Sequence, residues 1–83
     1  MQYDFLLCNV PLYSSRHRRI AEIDILAVAG QYCDIYEVKC SYRLAKAKKQ
    51  LGKIKKILSR DSFVRDSFFY CGESRKLIKI TEA

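Results

Sequence analysis

Residues 20–40, IAEIDILAVAGQYCDIYEVKC, decide how the chain folds, because they hold two apolar runs separated by residues that can turn a chain. Residues 20–29 are apolar except for two acidic side chains, and residues 34–40 are rich in aliphatic and aromatic side chains. Gly30-Gln31, between them, can form a tight turn. The stretch therefore predicts a β-hairpin.

The turn determines which side chains face each other across this hairpin. A side-chain period of two puts Glu22 and Asp24 on one face of its first strand, and Glu37 and Lys39 on one face of its second strand. A two-residue loop at positions 30–31 would set Asp24 opposite Glu37, and Glu22 opposite Lys39. A four-residue loop would keep the face and shift the register, whereas an odd loop or a bulge would separate the two pairs.

The flanking segments predict three more strands and one helix. Residues 2–10 are an aromatic and aliphatic run that Pro11 ends, and the polar, basic residues 14–19 indicate a loop or the entry to a strand. Residues 41–60 predict an amphipathic helix with Ser41 as its N-cap and residues 59–62 as its stop. Its apolar stripe is Leu44, Ala47, Leu51, Ile54 and Leu58. Residues 67–71 and 76–81 predict two final strands around a turn at 72–75.

These elements predict an α+β fold: a mixed sheet in the order β-β-β-α-β-β, with the basic amphipathic helix packed on one face. The chain has 83 residues, so we expect a single domain over residues 1–83, because one core grows to roughly 100 to 150 residues before chains divide. A hydrophobic content of 49% excludes a disordered chain. No apolar stretch approaches the roughly 18 to 20 residues of a membrane span and the N-terminus lacks a basic export signal, so we expect a cytoplasmic protein.

Lys and Arg number 16 against 9 Asp and Glu, which gives a formal charge of +7. Such an excess on a small domain repels itself unless a polyanion offsets it, and nucleic acid is the commonest such partner of a basic chain. A membrane surface is the weaker alternative, because no helix combines its basic face with Trp or Phe anchors. The composition therefore favours a nucleic-acid partner.

The four cysteines, Cys8, Cys33, Cys40 and Cys71, include no C-x-x-C pair, which argues against a structural zinc site. A secreted disulfide framework would fit their even number, but no export signal precedes them. Their apolar, strand-like surroundings predict four small core residues.

Three acidic residues, Glu22, Asp24 and Glu37, lie inside runs that are otherwise apolar. A buried carboxylate without a partner costs several kcal/mol, so such residues are retained where a cation, hydrogen bonds or a metal offset that cost. Lys39, two positions from Glu37 on the same strand, is a candidate partner. The alternative without a functional site is an exposed strand face with a cross-strand ion pair.

Glu22-Ile-Asp24-Ile-Leu, followed by Glu37-Val-Lys39 on the next strand and then a helix, resembles the PD-(D/E)XK nuclease superfamily. Within it, the pattern is most similar to the small archaeal and viral Holliday-junction resolvases, over residues 16–57. The resemblance implies that Asp24, Glu37 and the Val38 carbonyl hold Mg²⁺ or Mn²⁺, and that Lys39 positions or activates the attacking water. It also implies that Glu22 stands in for a glutamate that most members carry on an opening helix.

The predicted helix carries half of the chain's basic residues and no acidic residue. Eight like charges gain no pairs along a helix and repel one another, so a surface that follows phosphates is a better interpretation than a merely solvated face. The candidate nucleic-acid-binding residues, on the helix and on the loop before the hairpin, are Arg16, Arg18, Arg19, Arg43, Lys46, Lys49, Gln50, Lys53 and Lys56.

These observations predict a minimal nuclease-like domain that hydrolyses phosphodiester bonds with Mg²⁺ or Mn²⁺ and without a small-molecule cofactor. The expected substrate is DNA, branched or duplex, with no membrane partner and with host cytoplasm as the compartment if the source is viral. We expect a homodimer, because a domain this small buries only about 60 to 65% of its unfolded surface and because two copies would face the two symmetric strands of a branched DNA. The alternatives are a non-catalytic nucleic-acid-binding module on the same fold and an adaptor with an acidic protein partner.

Overall fold

The structure is a computed structural model, and it describes residues 3–60 and 63–80. The elements are β1 (Phe5–Tyr13), β2 (Arg19–Ala29), β3 (Tyr32–Lys39), α1 (Leu44–Leu58), β4 (Phe63–Cys71) and β5 (Lys76–Ile80). The strands form one mixed sheet in the order β1-β2-β3-β4-β5. The β3–β4 pair is parallel and the other neighbouring pairs are antiparallel. The helix α1 connects the two parallel strands, since a parallel pair needs a crossover. The predicted α+β fold and element order are confirmed.

Several strand boundaries differ from the sequence prediction. β2 begins at Arg19 instead of residue 20, and β3 is Tyr32–Lys39 instead of residues 34–40, because the turn takes only residues 30–31 and Tyr32 already pairs with Ala29. Pro11 does not end β1, which continues to Tyr13 and pairs Pro11 with Glu22. Proline is tolerated there because β1 is at the edge of the described sheet, where a missing N–H breaks no second ladder. β4 begins at Phe63 instead of residue 67, since a register shift against β3 between Cys33 and Asp34 accommodates the charged residues in its first half. The expected start of β1 at residue 2 and the end of β5 at residue 81 lie outside the described residues.

The helix is shorter than predicted. Arg43, not Ser41, is the N-cap residue, and it makes no side-chain capping hydrogen bond. The helix ends at Leu58, and Ser59 caps it through a backbone N–H that bonds to the Lys55 carbonyl. The predicted stop at residues 59–62 is confirmed as far as Arg60, because residues 61–62 lie outside the described part.

The core lies between α1 and one face of the sheet, the helix side. Toward the C-terminal end of α1, Leu51 and Ile54 pack against β2 and β3 residues such as Ile23 and Ile35. Toward its N-terminal end, Ala47 packs with Phe69 and Cys71 of β4. Burying the Leu, Ile and Phe side chains among these supplies roughly 1.5 to 3 kcal/mol each, which is the main term that holds the helix on the sheet.

On the opposite face of the sheet, here called the open face, no described element covers the strands. A fully buried carboxylate, Asp34, anchors this face. Its Oδ1 accepts hydrogen bonds from Arg65 Nε (3.1 Å) and the Asp66 N–H (3.0 Å), and its Oδ2 accepts from Arg65 Nη2 (2.9 Å) and the Tyr3 hydroxyl (2.6 Å). Burial raises the pKa of Asp34, but these hydrogen bonds and the Arg65 charge outweigh burial and leave the pKa below its usual range.

The cysteines divide into two pairs. Cys33 and Cys71 are buried core residues as expected, whereas Cys8 and Cys40 are exposed, so the prediction of four core cysteines is wrong for these two. Cys8 is exposed because it lies on the edge strand, and Cys40 because it follows the last residue of β3. All four are free thiols.

Within residues 3–60 and 63–80, no helix combines the length and the apolar character that crossing a membrane requires.

We expect Asp34→Asn to lower the free energy of unfolding at pH 7 by roughly 2 to 4 kcal/mol, because it deprives Arg65 of its carboxylate. Since the folded-state pKa of Asp34 lies below its unfolded value of about 3.9, its stabilisation is complete above that value and is lost as the pH falls through the folded-state pKa. Urea unfolding of parent and variant should thus differ by a constant amount above about pH 5, and the difference should begin to shrink below about pH 4 and vanish below the folded-state pKa. The exposed turn variant Glu73→Gln is the control, and a difference independent of pH would contradict the assignment.

Candidate functional site

The acidic pair Asp24 and Glu37 lies where β2 and β3 diverge. The β2–β3 ladder runs from Ala29↔Tyr32 to Ile25↔Tyr36, so of the loops left open by the sequence the structure has the two-residue turn, with its register over these five pairs. The ladder ends there, one position before the expected pairing of Asp24 with Glu37. Beyond it, the Val38 N–H donates to Asp24 Oδ2 (2.8 Å). A side-chain carboxylate thus replaces the backbone carbonyl that a continuing ladder would supply.

β2 and β1 both become irregular beside Asp24. In β2, Ile23 and Leu26 both pack in the helix-side cluster although they are three positions apart, so the alternation of faces breaks between them. β1 is irregular at Asn9, which lies opposite this part of β2. Asn9 has a φ of +53°, and it has no partner in β2 although Cys8 and Val10 on either side of it are both paired. Alternation from Leu26, which pairs with Ile35, puts Asp24 on the helix side with Glu37, so the break falls between Ile23 and Asp24 and does not separate this pair.

The same irregularity separates Glu22 from Asp24. Because Ile23 faces the helix, its neighbour Glu22 faces away from it, and the predicted shared face of the two acids is wrong. Glu22 is bound by Arg19, whose Nη2 lies 2.6 Å from Glu22 Oε2. The predicted position of Glu22 opposite Lys39 is also wrong, since β2 and β3 have diverged before that pair.

Glu37 is the most enclosed member of the site, with a side chain only 2% exposed. Its register partner Phe69 packs under the first turns of α1, which explains this burial. Lys39 Nζ lies 3.1 Å from Glu37 Oε2, and its side chain remains 31% exposed. Burial raises the pKa of Glu37, the hydrogen bond from Lys39 lowers it, and the charge of Asp24 raises it, so that its pKa lies above the usual value.

The β4–β5 turn positions the end of β3 that carries Lys39. Lys39 is in parallel register with Cys71, and the next residue, Gly72, donates its N–H to the Lys39 carbonyl (2.8 Å). The Glu73 N–H donates to the Cys40 carbonyl at the same distance. Two hydrogen bonds from this turn therefore hold the backbone at Lys39 and Cys40, while the Lys39 side chain remains partly exposed.

Two shallow basic grooves lie on the helix and on the loop before β2. One, of about 360 Å³, is lined by Lys46, Lys49, Gln50 and Lys53 of α1. The other, also about 360 Å³, is lined by Ser14, Arg16, Arg18 and Ile20. Lys53 Nζ donates to the Ile20 carbonyl (2.9 Å), so the two grooves adjoin. We call them together the basic surface.

The basic surface holds most of the predicted nucleic-acid contacts but not all of them. Ser14 Oγ accepts hydrogen bonds from the backbone N–H groups of Arg16 and Arg18, which orders their loop. Lys56 is exposed on α1, and Arg43 is exposed at its N-cap. Arg19 is directed to Glu22 instead, because the two side chains form a close ion pair.

Sequence reasoning missed the buried acid Asp34. Its signal was available, because Asp34 lies between Cys33 and Ile35 in a run as apolar as the one around Glu37. Its partner Arg65 lies on a strand segment that was not predicted, so the pair was not visible from sequence. Asp34 belongs to the open face and not to the Asp24–Glu37 site, which faces the helix side.

The donor chemistry of the site fits a hard divalent cation. Asp24, Glu37 and the Val38 carbonyl would supply oxygen ligands, which Mg²⁺ and Mn²⁺ prefer over sulfur or aliphatic nitrogen. The two carboxylates repel each other, and a cation bound between them would relieve this repulsion. No group of three or more His, Cys, Asp or Glu residues that could hold a metal occurs in the described part of the chain, so water and substrate oxygens would complete the shell.

Comparison of the sequence with protein-family models and with curated proteins finds no match of either kind.

Proposed function

We propose that this protein is a metal-dependent endonuclease that hydrolyses phosphodiester bonds of DNA, with branched or duplex DNA as substrate. The observation that carries the proposal is the convergence of Asp24, Glu37 and Lys39 at the point where β2 and β3 diverge. Two carboxylates with an adjacent ammonium group suit a reaction in which an anionic phosphate is attacked by water.

Asp24, Glu37 and the Val38 carbonyl would hold Mg²⁺ or Mn²⁺. A bound divalent ion lowers the pKa of its water and neutralises charge on the phosphate. Lys39 would donate a hydrogen bond to a phosphate oxygen, a role that suits its partial exposure and its mobile side chain. The enclosure of Glu37 keeps that carboxylate away from bulk water, which strengthens its electrostatic interactions.

The basic surface would bind the phosphates on either side of the cleaved bond. Its lysines are exposed along one side of α1, and its arginines lie on the adjoining loop. Lysine and arginine contacts of this kind give affinity that is independent of sequence and sensitive to salt. This agrees with a substrate chosen by its shape more than by its base sequence.

One observation favours a second candidate, a nucleic-acid-binding module without catalysis. The Val38 N–H already satisfies Asp24, and Lys39 already pairs with Glu37, so the acidic pair has partners without a metal. This candidate predicts tight, salt-sensitive binding and no cleavage with either Mg²⁺ or Mn²⁺. Incubation of four-way junction, duplex and single-stranded DNA and RNA, with and without Mn²⁺, distinguishes the two.

We expect Glu37→Gln and Asp24→Asn each to reduce metal-dependent cleavage by about two orders of magnitude or more, because each removes a ligand charge and keeps the side-chain shape. DNA binding in EDTA should stay nearly unchanged in both. Glu22→Gln is the matched control, and we expect a smaller effect because Glu22 is paired with Arg19. Full cleavage activity in Glu37→Gln would disprove the metal site.

Replacing Lys46, Lys49, Lys53 and Lys56 with Gln should weaken DNA binding and flatten the slope of log K against log salt by up to about 3 to 4 units, because at most four phosphate contacts are lost. Fluorescence anisotropy over a salt series measures the slope. A control with Lys48→Gln and Lys76→Gln, exposed lysines outside the grooves, should change it much less. An unchanged slope in the four-lysine variant would place the DNA on another surface.

Lys39→Met separates a catalytic lysine from a structural ion-pair partner. If Lys39 only compensates Glu37, the variant should lose roughly 3 to 5 kcal/mol of stability, and activity should follow structure. If Lys39 acts on the substrate, bound metal offsets the carboxylates, so in saturating Mg²⁺ the variant should melt near the parent, bind DNA and fail to cut. We expect the second result. A large drop in melting temperature in saturating Mg²⁺ argues for the structural role.

A further inference from the structure

Apolar side chains from all five strands lie on the open face of the sheet. Leu6 of β1 lines a shallow cavity of about 220 Å³ with Tyr3, Ile25 and Tyr36, which places these side chains on the face away from α1. Alternation along the central and last strands adds the apolar side chains Val38, Phe68, Tyr70 and Leu77. Leu6 and Leu77, near opposite edges, are 57% and 55% exposed.

This face includes the parallel pair β3–β4, and parallel strands are normally covered on both faces. The helix α1 covers one side of the pair, so the side that carries Tyr36, Val38, Phe68 and Tyr70 lacks its second layer among the described residues. A contiguous exposed apolar surface of this kind is typical of a protein contact.

The aromatic side chains of the open face are arranged poorly for nucleic acid. The Tyr36 and Phe68 rings stack on each other at 4.7 Å with an interplanar angle of 16°, which equals the spacing of adjacent strands. The two rings therefore stand perpendicular to the sheet, and one face of each ring is covered by the other ring. A stacking platform for bases instead presents ring faces to solvent.

Charge separates the open face from the basic surface. On the open face, Asp34 is paired with Arg65, and Asp66 Oδ1 lies 3.4 Å from Lys79 Nζ. Glu22, which also faces away from α1, is paired with Arg19, so the two signs are balanced. This face therefore lacks the positive excess that attracts a polyanion, and two copies packed on it bring no net like charge together. The lysines of α1 lie on the helix side of the sheet. In two chains packed through their open faces, the lysines of one chain would therefore stay far from those of the other.

We propose that the open face is the interface of a homodimer in which two sheets pack face to face. This contact adds the missing layer to β3 and β4, and two sheets packed in this way lie about 10 Å apart. Because the Glu37 side chain projects to the helix side, both acidic sites and both basic surfaces stay accessible in the dimer. The proposal is independent of catalysis, since it concerns the opposite face of the sheet.

Sedimentation equilibrium of the parent and of the double variant Leu6→Glu with Leu77→Glu tests this interface. We expect a dimer for the parent and a monomer with the parent's far-UV circular dichroism for the double variant, because four carboxylates would enter the apolar contact. The matched control is Leu7→Glu, a leucine 43% exposed on the other face of β1, which should remain dimeric. A parent that is monomeric at all concentrations, or a dimer unaffected by the double variant, overturns the proposal.

If the double variant does not fold, Leu77→Gln alone decides the question, because its exposed position lets the monomer fold normally. We expect the dimer Kd to rise about tenfold or more, as truncation of an interface anchor does. An unchanged dimer Kd in this single variant refutes the open-face interface.

Discussion

One helix must cover a sheet of five strands, and most of the molecule's features follow from this constraint. The helix α1 packs on β4, β3 and β2, and it buries Glu37 beneath its first turns. The same arrangement leaves the other face of the sheet without a covering element among the described residues, and there a hydrogen-bond network around Asp34 joins β3 to β4. Because the apolar stripe of α1 faces the sheet, its lysines lie on the side of the helix that faces away from the sheet. The basic surface and the apolar open face therefore lie on opposite sides of the sheet.

The acidic site lies where the regular pairing of β2 ends. Alternation through the paired part of β2 puts Leu26 and then Asp24 on the helix side, where Glu37 also lies. The break between Ile23 and Asp24 keeps Ile23 on the helix side as well and turns Glu22 to the other face, and Asn9 of the edge strand lies opposite this break with a left-handed backbone. Asparagine tolerates this conformation better than most residues do, because its short side chain bonds locally. The Asp24 carboxylate then occupies the Val38 N–H that the broken ladder leaves without a backbone acceptor.

The sequence predicted those features that depend on local patterns. The hairpin register followed from Gly30-Gln31, and the buried stripe of α1 followed from the helical period. The sheet face predicted for Glu22 was wrong, because it depends on an irregularity in β2 that no proline or glycine in that strand indicates. The predicted start of the helix was wrong, because Ser41 is a residue type that favours the N-cap but lies three residues before Leu44, where the helix begins. Asp34 was overlooked because its partner comes from a strand far along the chain, and such pairings are set by tertiary packing.

The contacts from Gly72 and Glu73 to the end of β3 tie the assembly of the site to the completion of the fold. These residues are far from Lys39 in sequence, so their contacts form only after α1 has crossed over and β4 has docked against β3. A chain that has formed β1 to β3 and the helix already displays its lysines, yet the backbone that carries Lys39 is still unfixed. The nascent protein is therefore able to attract polyanions before its acidic site is assembled, and the last hairpin separates these two stages.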